Sequence, residues 1–289
     1  MSTSSDRDLS HLPPLREVIR ENGLAAKKSL GQNFLLDLNI TEKIVRHAGL
    51  GEDVNAIEIG PGPGGLTRAL VGSEAKTVTA IERDERCISA LAPLVEASND
   101  RLKLLYEDAL TVDLTDLVSA PRAIVANLPY NIATPLLISW LKQSENFQSM
   151  TLMFQKEVAG RIVAKVGTKA YSRLSVISQW LCDVSIAFDL PPGAFTPPPK
   201  VTSSIVHLRP KAIADDAPSF ETVERVTGAA FNQRRKMLRQ SMKSLVPDIK
   251  AFLSDVGIDE TLRADNVTVE QFIVMAKALE SKGQAALKY

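Results

Sequence analysis

A chain of 289 residues, 45% of them hydrophobic, is long enough for one large core and a second, smaller domain. Lysine plus arginine and aspartate plus glutamate balance at 34 each, so net charge gives no sign of nucleic acid; only a local concentration of cations can. Cys87 and Cys182 lie far apart in apolar periodic segments, which argues for a reduced cytosolic protein rather than a disulfide scaffold, and His11, His47 and His207 are too scattered for a metal-like spacing, so no metal is expected.

In chain order, Met-Ser-Thr-Ser-Ser-Asp-Arg-Asp opens a polar tail, expected to be disordered and not a secretory signal. Leu15–Asn22 predicts a short amphipathic helix ending at Gly23, and Asn39–His47 another, capped by Asp37 or Asn39. From there strands and helices alternate. Strands are expected at residues 56–59, 77–81, 102–106, 123–126 and 152–155. Crossover helices are expected at Asp84–Val95 and at Pro135–Leu141, with Pro135 in its first turn. Two later strands, Val184–Phe188 and Ser203–Leu208, are joined by a proline-rich loop, and a long loop inside a compact domain is usually functional. The stretch Pro210–Pro218 reads as a break. Helical periodicity alone follows, at Phe220–Asn232, Lys236–Leu245, Ile249–Val256 and Thr268–Leu279. The expected division is a tail and short helix over 1–23, an α/β domain over 24–210 and a small all-α domain over 211–289. No run approaches the ~20 apolar residues of a spanning helix, so no membrane contact is expected.

The chemistry concentrates at four strand ends. The first strand runs into Gly60-Pro61-Gly62-Pro63-Gly64-Gly65, a loop whose backbone can turn tightly and approach a ligand. Its spacing fits both the dinucleotide pattern (Gly60, Gly62, Gly65) and the pattern of S-adenosylmethionine sites (Gly60, Gly62, Gly64), and alone decides neither. The second strand ends at Glu82, 22 residues past Gly60, where a carboxylate can accept two ribose hydroxyls. The third is followed by Glu107-Asp108, where an acid can accept an adenine amine. The fourth ends in Asn127-Leu128-Pro129-Tyr130. The Asn127 carboxamide oxygen can accept one N–H of a planar amino group, and the Leu128 carbonyl, held by Pro129, can accept the other. Tyr130 offers a stacking face for the attached ring. Ligands in open α/β sheets lie outside the carboxyl ends of the strands, and all four features fall there in order.

With these residues the chain resembles S-adenosylmethionine-dependent adenine-N6 methyltransferases, and more narrowly the small-subunit (16S) ribosomal RNA adenine dimethyltransferases. The resemblance runs from about Lys28 to the last helices. It rests on the entry segment Lys28-Ser29-Leu30-Gly31-Gln32-Asn33-Phe34-Leu35, on Glu58-Ile59-Gly60-Pro61-Gly62-Pro63-Gly64, on Glu82, Asp108 and Asn127–Tyr130, and on Phe195-Thr196-Pro197-Pro198-Pro199-Lys200-Val201. The large-subunit enzymes of macrolide resistance share the Gln-Asn-Phe entry and the Asn-x-Pro-Tyr. The repeated Gly-Pro and the triple proline favour the small-subunit group. The resemblance implies a Rossmann-like class I methyltransferase sheet with flanking helices and a helical C-terminal RNA- or subunit-binding domain. It implies S-adenosyl-L-methionine as cofactor, held by Gln32, Asn33, Leu35, Gly60, Gly62, Glu82, Asp108 and Asn127. Asn127, Leu128, Pro129 and Tyr130 would form the catalytic clamp, with Phe195 lining the target-base pocket beside Tyr130. The implied reaction is dimethylation of two adjacent adenosines in a hairpin loop near the 3′ end of 16S rRNA, within a small-subunit precursor, by a cytoplasmic monomer.

Arg234, Arg235, Lys236 and Arg239 place four cations within six residues, an RNA-phosphate surface that Lys27-Lys28 and Lys165–Lys169 would extend. Three other readings compete. A DNA adenine or protein glutamine methyltransferase would use a similar clamp, but the Gln-Asn-Phe-Leu entry and the basic helical tail speak against it. An assembly factor without turnover would not need the intact acids. A nicotinamide dehydrogenase would explain the glycines but not Asn127–Tyr130.

Overall fold

The computed structural model describes residues 9–24 and 32–286. The polar tail through Asp8, the pair Lys27-Lys28 and the Ser29-Leu30-Gly31 part of the entry segment lie outside the described residues. The strands are β1 (Phe34–Leu35), β2 (Asn55–Ile59), β3 (Thr77–Glu82), β4 (Leu102–Tyr106), β5 (Arg122–Ala126), β6 (Ser149–Gln155), β7 (Cys182–Leu190), β8 (Phe195–Thr196) and β9 (Ser203–Pro210). Seven of them form one sheet in the order β4-β3-β2-β5-β6-β9-β7. The pairs from β4 through β6 are parallel, and β9 returns antiparallel against β6. Every residue of β2 is buried, as a parallel strand covered on both faces requires. The order reverses at β2, with β3 on one side and β5 on the other. The carboxyl ends of these strands therefore open a crevice at the switch point.

Two compact units divide the chain: Met1–Ala159 with Ser185–Pro210, and Gly160–Val184 with Lys211–Tyr289. The helical unit expected from residue 211 onward is thus joined by Gly160–Val184. That segment contributes the helix Arg173–Leu181, which the sequence periodicity did not reveal. Its Val176, Ile177 and Leu181 are buried, and the Ser172 and Ser175 side chains bond each other's backbone in a capping box. The second unit also carries the helices Phe220–Asn232, Leu238–Ser241, Ile249–Asp255 and Val269–Ala286. Phe231 stacks on Phe272 at 5.6 Å between centroids and meets Tyr171 edge-on at 6.0 Å.

Three expectations are corrected. The helix after the Asn-Leu-Pro-Tyr tetrapeptide begins at Tyr130, so Pro135 lies inside it rather than in its first turn. Tyr-Asn-Ile-Ala-Thr lacks a 3.6-residue apolar period, and the helix is set by its packing on the sheet. The helix expected over Lys236–Leu245 shrinks to Leu238–Ser241, because Met237 adopts an extended backbone and bridges to Arg263. Arg234, Arg235 and Lys236 therefore sit in a turn. Finally, the proline-rich loop between the late strands contains β8, which pairs antiparallel with β1 in a separate two-stranded sheet. Asp37 caps the helix Leu38–Ala48 by accepting from the Asn39 N–H at 2.9 Å. Both cysteines are buried, and neither is in a disulfide. Among the described residues no helix is long and apolar enough to cross a membrane, and no group of three or more His, Cys, Asp or Glu is placed to hold a metal ion.

Candidate active site

The glycine loop begins where β2 ends. Gly60, Gly62 and Gly64 have φ of 71°, 56° and 94°, the left-handed region that side chains with a Cβ adopt at a cost. Gly65 is needed for another reason. A Cβ there would stand 2.3 Å from the Leu35 carbonyl oxygen, so only glycine lets the entry arm lie against the loop. The arm is held from its other side by the register Phe34↔Thr196 and Leu35↔Phe195. Two motifs far apart in sequence, the entry segment and the proline loop, thus meet in one strand pair.

The acids follow. Glu82 is 7% exposed, with one carboxylate oxygen accepting from the Gly62 N–H at 3.2 Å. The other accepts from the Arg83 and Asp84 N–H groups at 2.7 and 2.8 Å. Burial raises its pKa, and these three N–H groups hold the rise back. Asp108 accepts from the Leu110 N–H at 3.0 Å and pairs with Arg83 at 2.9 Å. Asp84 caps the helix Glu85–Ala97. The Arg86 guanidinium, with help from Gln32, pulls its carboxyl down to about 2. The Gln32 amide reaches Asp84 at 3.3 Å, which ties the arm to the end of β3.

At the end of β5, the Asn127 amide nitrogen donates to the Asn33 carbonyl at 3.2 Å, so its carboxamide oxygen is left to accept. The Pro129 carbonyl is taken by the Ile132 and Ala133 N–H groups of the helix it starts. The Tyr130 hydroxyl meets the Ser203 hydroxyl at 2.6 Å. Burial raises the Tyr130 pKa.

These residues enclose a cavity of about 370 Å³, within the usual range for a small-molecule site. Gln32, Asn33, Leu35, Gly60, Gly62, Glu82, Asp108 and the whole of Asn127–Tyr130 line it. Phe195 does not. It is 4% exposed, part of the apolar cluster that also contains Leu35 and against which Tyr130 packs. Two residues to which sequence pattern assigns no role belong here. Ser203 anchors Tyr130, and nothing in the sequence signals it. Glu58 lines the cavity at 1% exposure, and its signal is visible: a carboxylate in the middle of an apolar strand. Burial, with the charge of Glu82 adding to it, pushes Glu58 up to about 8.

In the second unit, the basic segment divides into two kinds of cation. Arg234 donates to the Lys169 carbonyl at 2.8 Å and lies 3.7 Å from Asp265, and Arg239 pairs with Glu260 at 2.7 Å. Arg235 and Lys236 are exposed, with no ion pair among the described residues. Lys165 and Lys169 are exposed in the same unit.

Comparison with known proteins agrees with this geometry. Residues 23–281 match the family described as ribosomal RNA adenine dimethylase. The chain is 53% identical over 272 residues to a ribosomal RNA small subunit methyltransferase A of Rhodospirillum rubrum, covering 94% of each. It is 55% identical over 273 residues to the protein of that name in Xanthobacter autotrophicus, covering 93% of this chain and 94% of the relative. Among solved structures it is similar to a dimethyladenosine transferase from Plasmodium falciparum, with a TM-score of 0.72, 26% identity and coverage of 86% of this chain and 97% of that one. It is also similar to the 23S rRNA methyltransferase ErmE, with a TM-score of 0.66, 26% identity and coverage of 86% and 100%.

Proposed function

The chain belongs to the ribosomal RNA adenine dimethylase family, and we propose that it is the enzyme that methylates adenine N6 in small-subunit ribosomal RNA with S-adenosylmethionine as donor. One observation carries the reading: the glycine loop, Glu82, Asp108 and Asn127–Tyr130 leave four neighbouring parallel strands and open into one cavity. Its donor set suits the cofactor. Gly60 and Gly62 hold left-handed backbone in the cavity wall, where the main chain can approach a ligand closely, and the buried Glu58 and Glu82 with the half-buried Asp108 suit a cationic ligand with ribose hydroxyls and an adenine amine.

When bound, the cofactor supplies a methyl group already activated on a sulfonium. The protein needs to hold and orient rather than to supply a strong base. In this reading Glu82 accepts from the ribose and Asp108 from the adenine amine, since each carboxylate has lone pairs beyond those its present partners use. Gly60 and Gly62 border the methionine portion, and Gln32, Asn33 and Leu35 close the site from the arm. Asn127 and the Leu128 carbonyl accept the N–H groups of the target amine and keep its lone pair aimed outward. A second transfer to the same nitrogen begins with a single N–H, so one acceptor must then suffice. Tyr130 stacks on the extruded base, which offsets the few kcal/mol of unstacking. Phe195 serves from beneath, in the apolar cluster that supports Tyr130.

The target is two adjacent adenosines of a hairpin loop near the 3′ end of 16S rRNA, in a small-subunit precursor, modified in the cytoplasm by a monomer. The ~53% identity to small-subunit enzymes, against 26% to a 23S enzyme, favours that subunit. Arg235 and Lys236 contact RNA phosphate, while Arg234 and Arg239 hold the turn that presents them. The test is mass spectrometry of rRNA from undermethylated ribosomal subunits incubated with protein and cofactor. Dimethyladenosine confined to the 3′ region of the small-subunit RNA is the expected product. Modification of large-subunit RNA alone, or none, would overturn the reading.

A further inference from the structure

Glu58 is a buried carboxyl group with no counter-charge beside it among the described residues. It is 1% exposed, and its Oε2 has no hydrogen-bond partner among them. Thr67, on the helix Gly65–Val71, lies near it without a hydrogen bond of good geometry. From β3 it feels Glu82, a like charge. At the end of β5 stands the neutral Asn127. The cations at the rim are engaged elsewhere: Arg83 is held by Asp108 at 2.9 Å and Arg86 by Asp84 at 2.6 Å. Yet Glu58 is part of the wall of the cavity. A buried acid with no partner normally stays protonated, and a cation placed beside it reverses that preference.

We propose that Glu58 is a specificity-determining residue that separates the methyl donor from the spent product by charge: it is neutral in the empty cavity, ionises when the sulfonium enters, and is neutral again when only the uncharged thioether remains. The donor and S-adenosylhomocysteine share adenine, ribose, amino and carboxylate groups. They differ in the methyl group and the positive charge it brings. Any discrimination through Glu58 is therefore a discrimination by that charge. The inference rests on S-adenosylmethionine being the cofactor.

The sign follows from linkage. With its folded value at about 8, Glu58 carries a proton at pH 7, and that proton leaves when the donor binds. Donor affinity falls as pH drops below about 8, by up to tenfold per unit, while product affinity changes little. The site thus favours donor over product more strongly at pH 8 than at pH 6.

Calorimetry of the full chain tests this without turnover. Each ligand is titrated at pH 7 in phosphate and in Tris, whose ionisation enthalpies differ, so that the heats count protons. Release of about one proton per donor bound, and of markedly fewer per S-adenosylhomocysteine bound, is the expected result. Because the wild-type protein answers this, the outcome does not depend on a variant that folds. Glu58→Gln should abolish the difference in proton count and flatten the pH dependence of donor affinity. Equal proton counts for both ligands would overturn the inference alone. So would a release that survives in Glu58→Gln and disappears in Glu82→Gln. Failure of both ligands to bind would overturn the cofactor assignment and this inference with it.

Discussion

The cavity of the first unit and the basic turn of the second handle charge in opposite ways. In the cavity Glu82 and Asp84 are buried and their oxygens are held in place: three N–H groups fix Glu82, and helix and arm fix Asp84. In the basic segment Arg235 and Lys236 are exposed, and the half-buried Arg234 and Arg239 are already paired with Asp265 and Glu260. Buried, backbone-held groups respond strongly to small changes in geometry and little to salt. Exposed cations respond to salt and little to geometry. Precise chemistry and broad attraction are thus given to different units.

The largest effect should come from the cavity. Asn127→Ala removes an acceptor proposed to matter most in the transition state. Single-turnover methylation of undermethylated small subunits should fall by about 10²-fold or more, far more than the affinity for either cofactor or subunit. A rate near wild type would remove Asn127 from the mechanism. Glu82→Ala should come next, weakening donor binding by ~1–3 kcal/mol through the loss of charge-assisted hydrogen bonds, as read by calorimetry. Unchanged affinity would reject the ribose assignment. The smallest effect belongs to the turn. Neutralising Arg235 and Lys236 together should lower the salt slope of subunit binding by about one unit for each phosphate that is no longer neutralised. Neutralising Arg239 should instead cost under ~1 kcal/mol of stability and leave the slope nearly unchanged. Equal slopes for both variants would erase the division between free and paired cations.

The strand-end features were legible because a parallel sheet delivers each strand's carboxyl end to one edge, so position along the chain predicts position in space. What lay beyond local pattern was not legible. Lys236–Leu245 has the composition of a helix, but Met237 is drawn into a bridge with Arg263, a partner that no window around it contains. Phe195 reads as an aromatic in a loop, and its burial depends on a partner, Leu35, on the other side of the sequence. Ser203 is one serine among several until the fold brings it to the Tyr130 hydroxyl. The helix start at Tyr130 was hidden because packing on the sheet, and not amphipathic periodicity, holds its first turn.

The pairing of β1 with β8 has a consequence in time. It joins Phe34 to Thr196 across 162 residues of chain (196 − 34 = 162), through only two pairs of residues. Closing so long a loop carries an entropic penalty that two pairs cannot offset by themselves. The pair therefore forms on a sheet that has already folded, and on a growing polypeptide only after the proline loop has been synthesised. The arm that carries Gln32, Asn33 and Leu35 is the last wall of the cavity to be set in place.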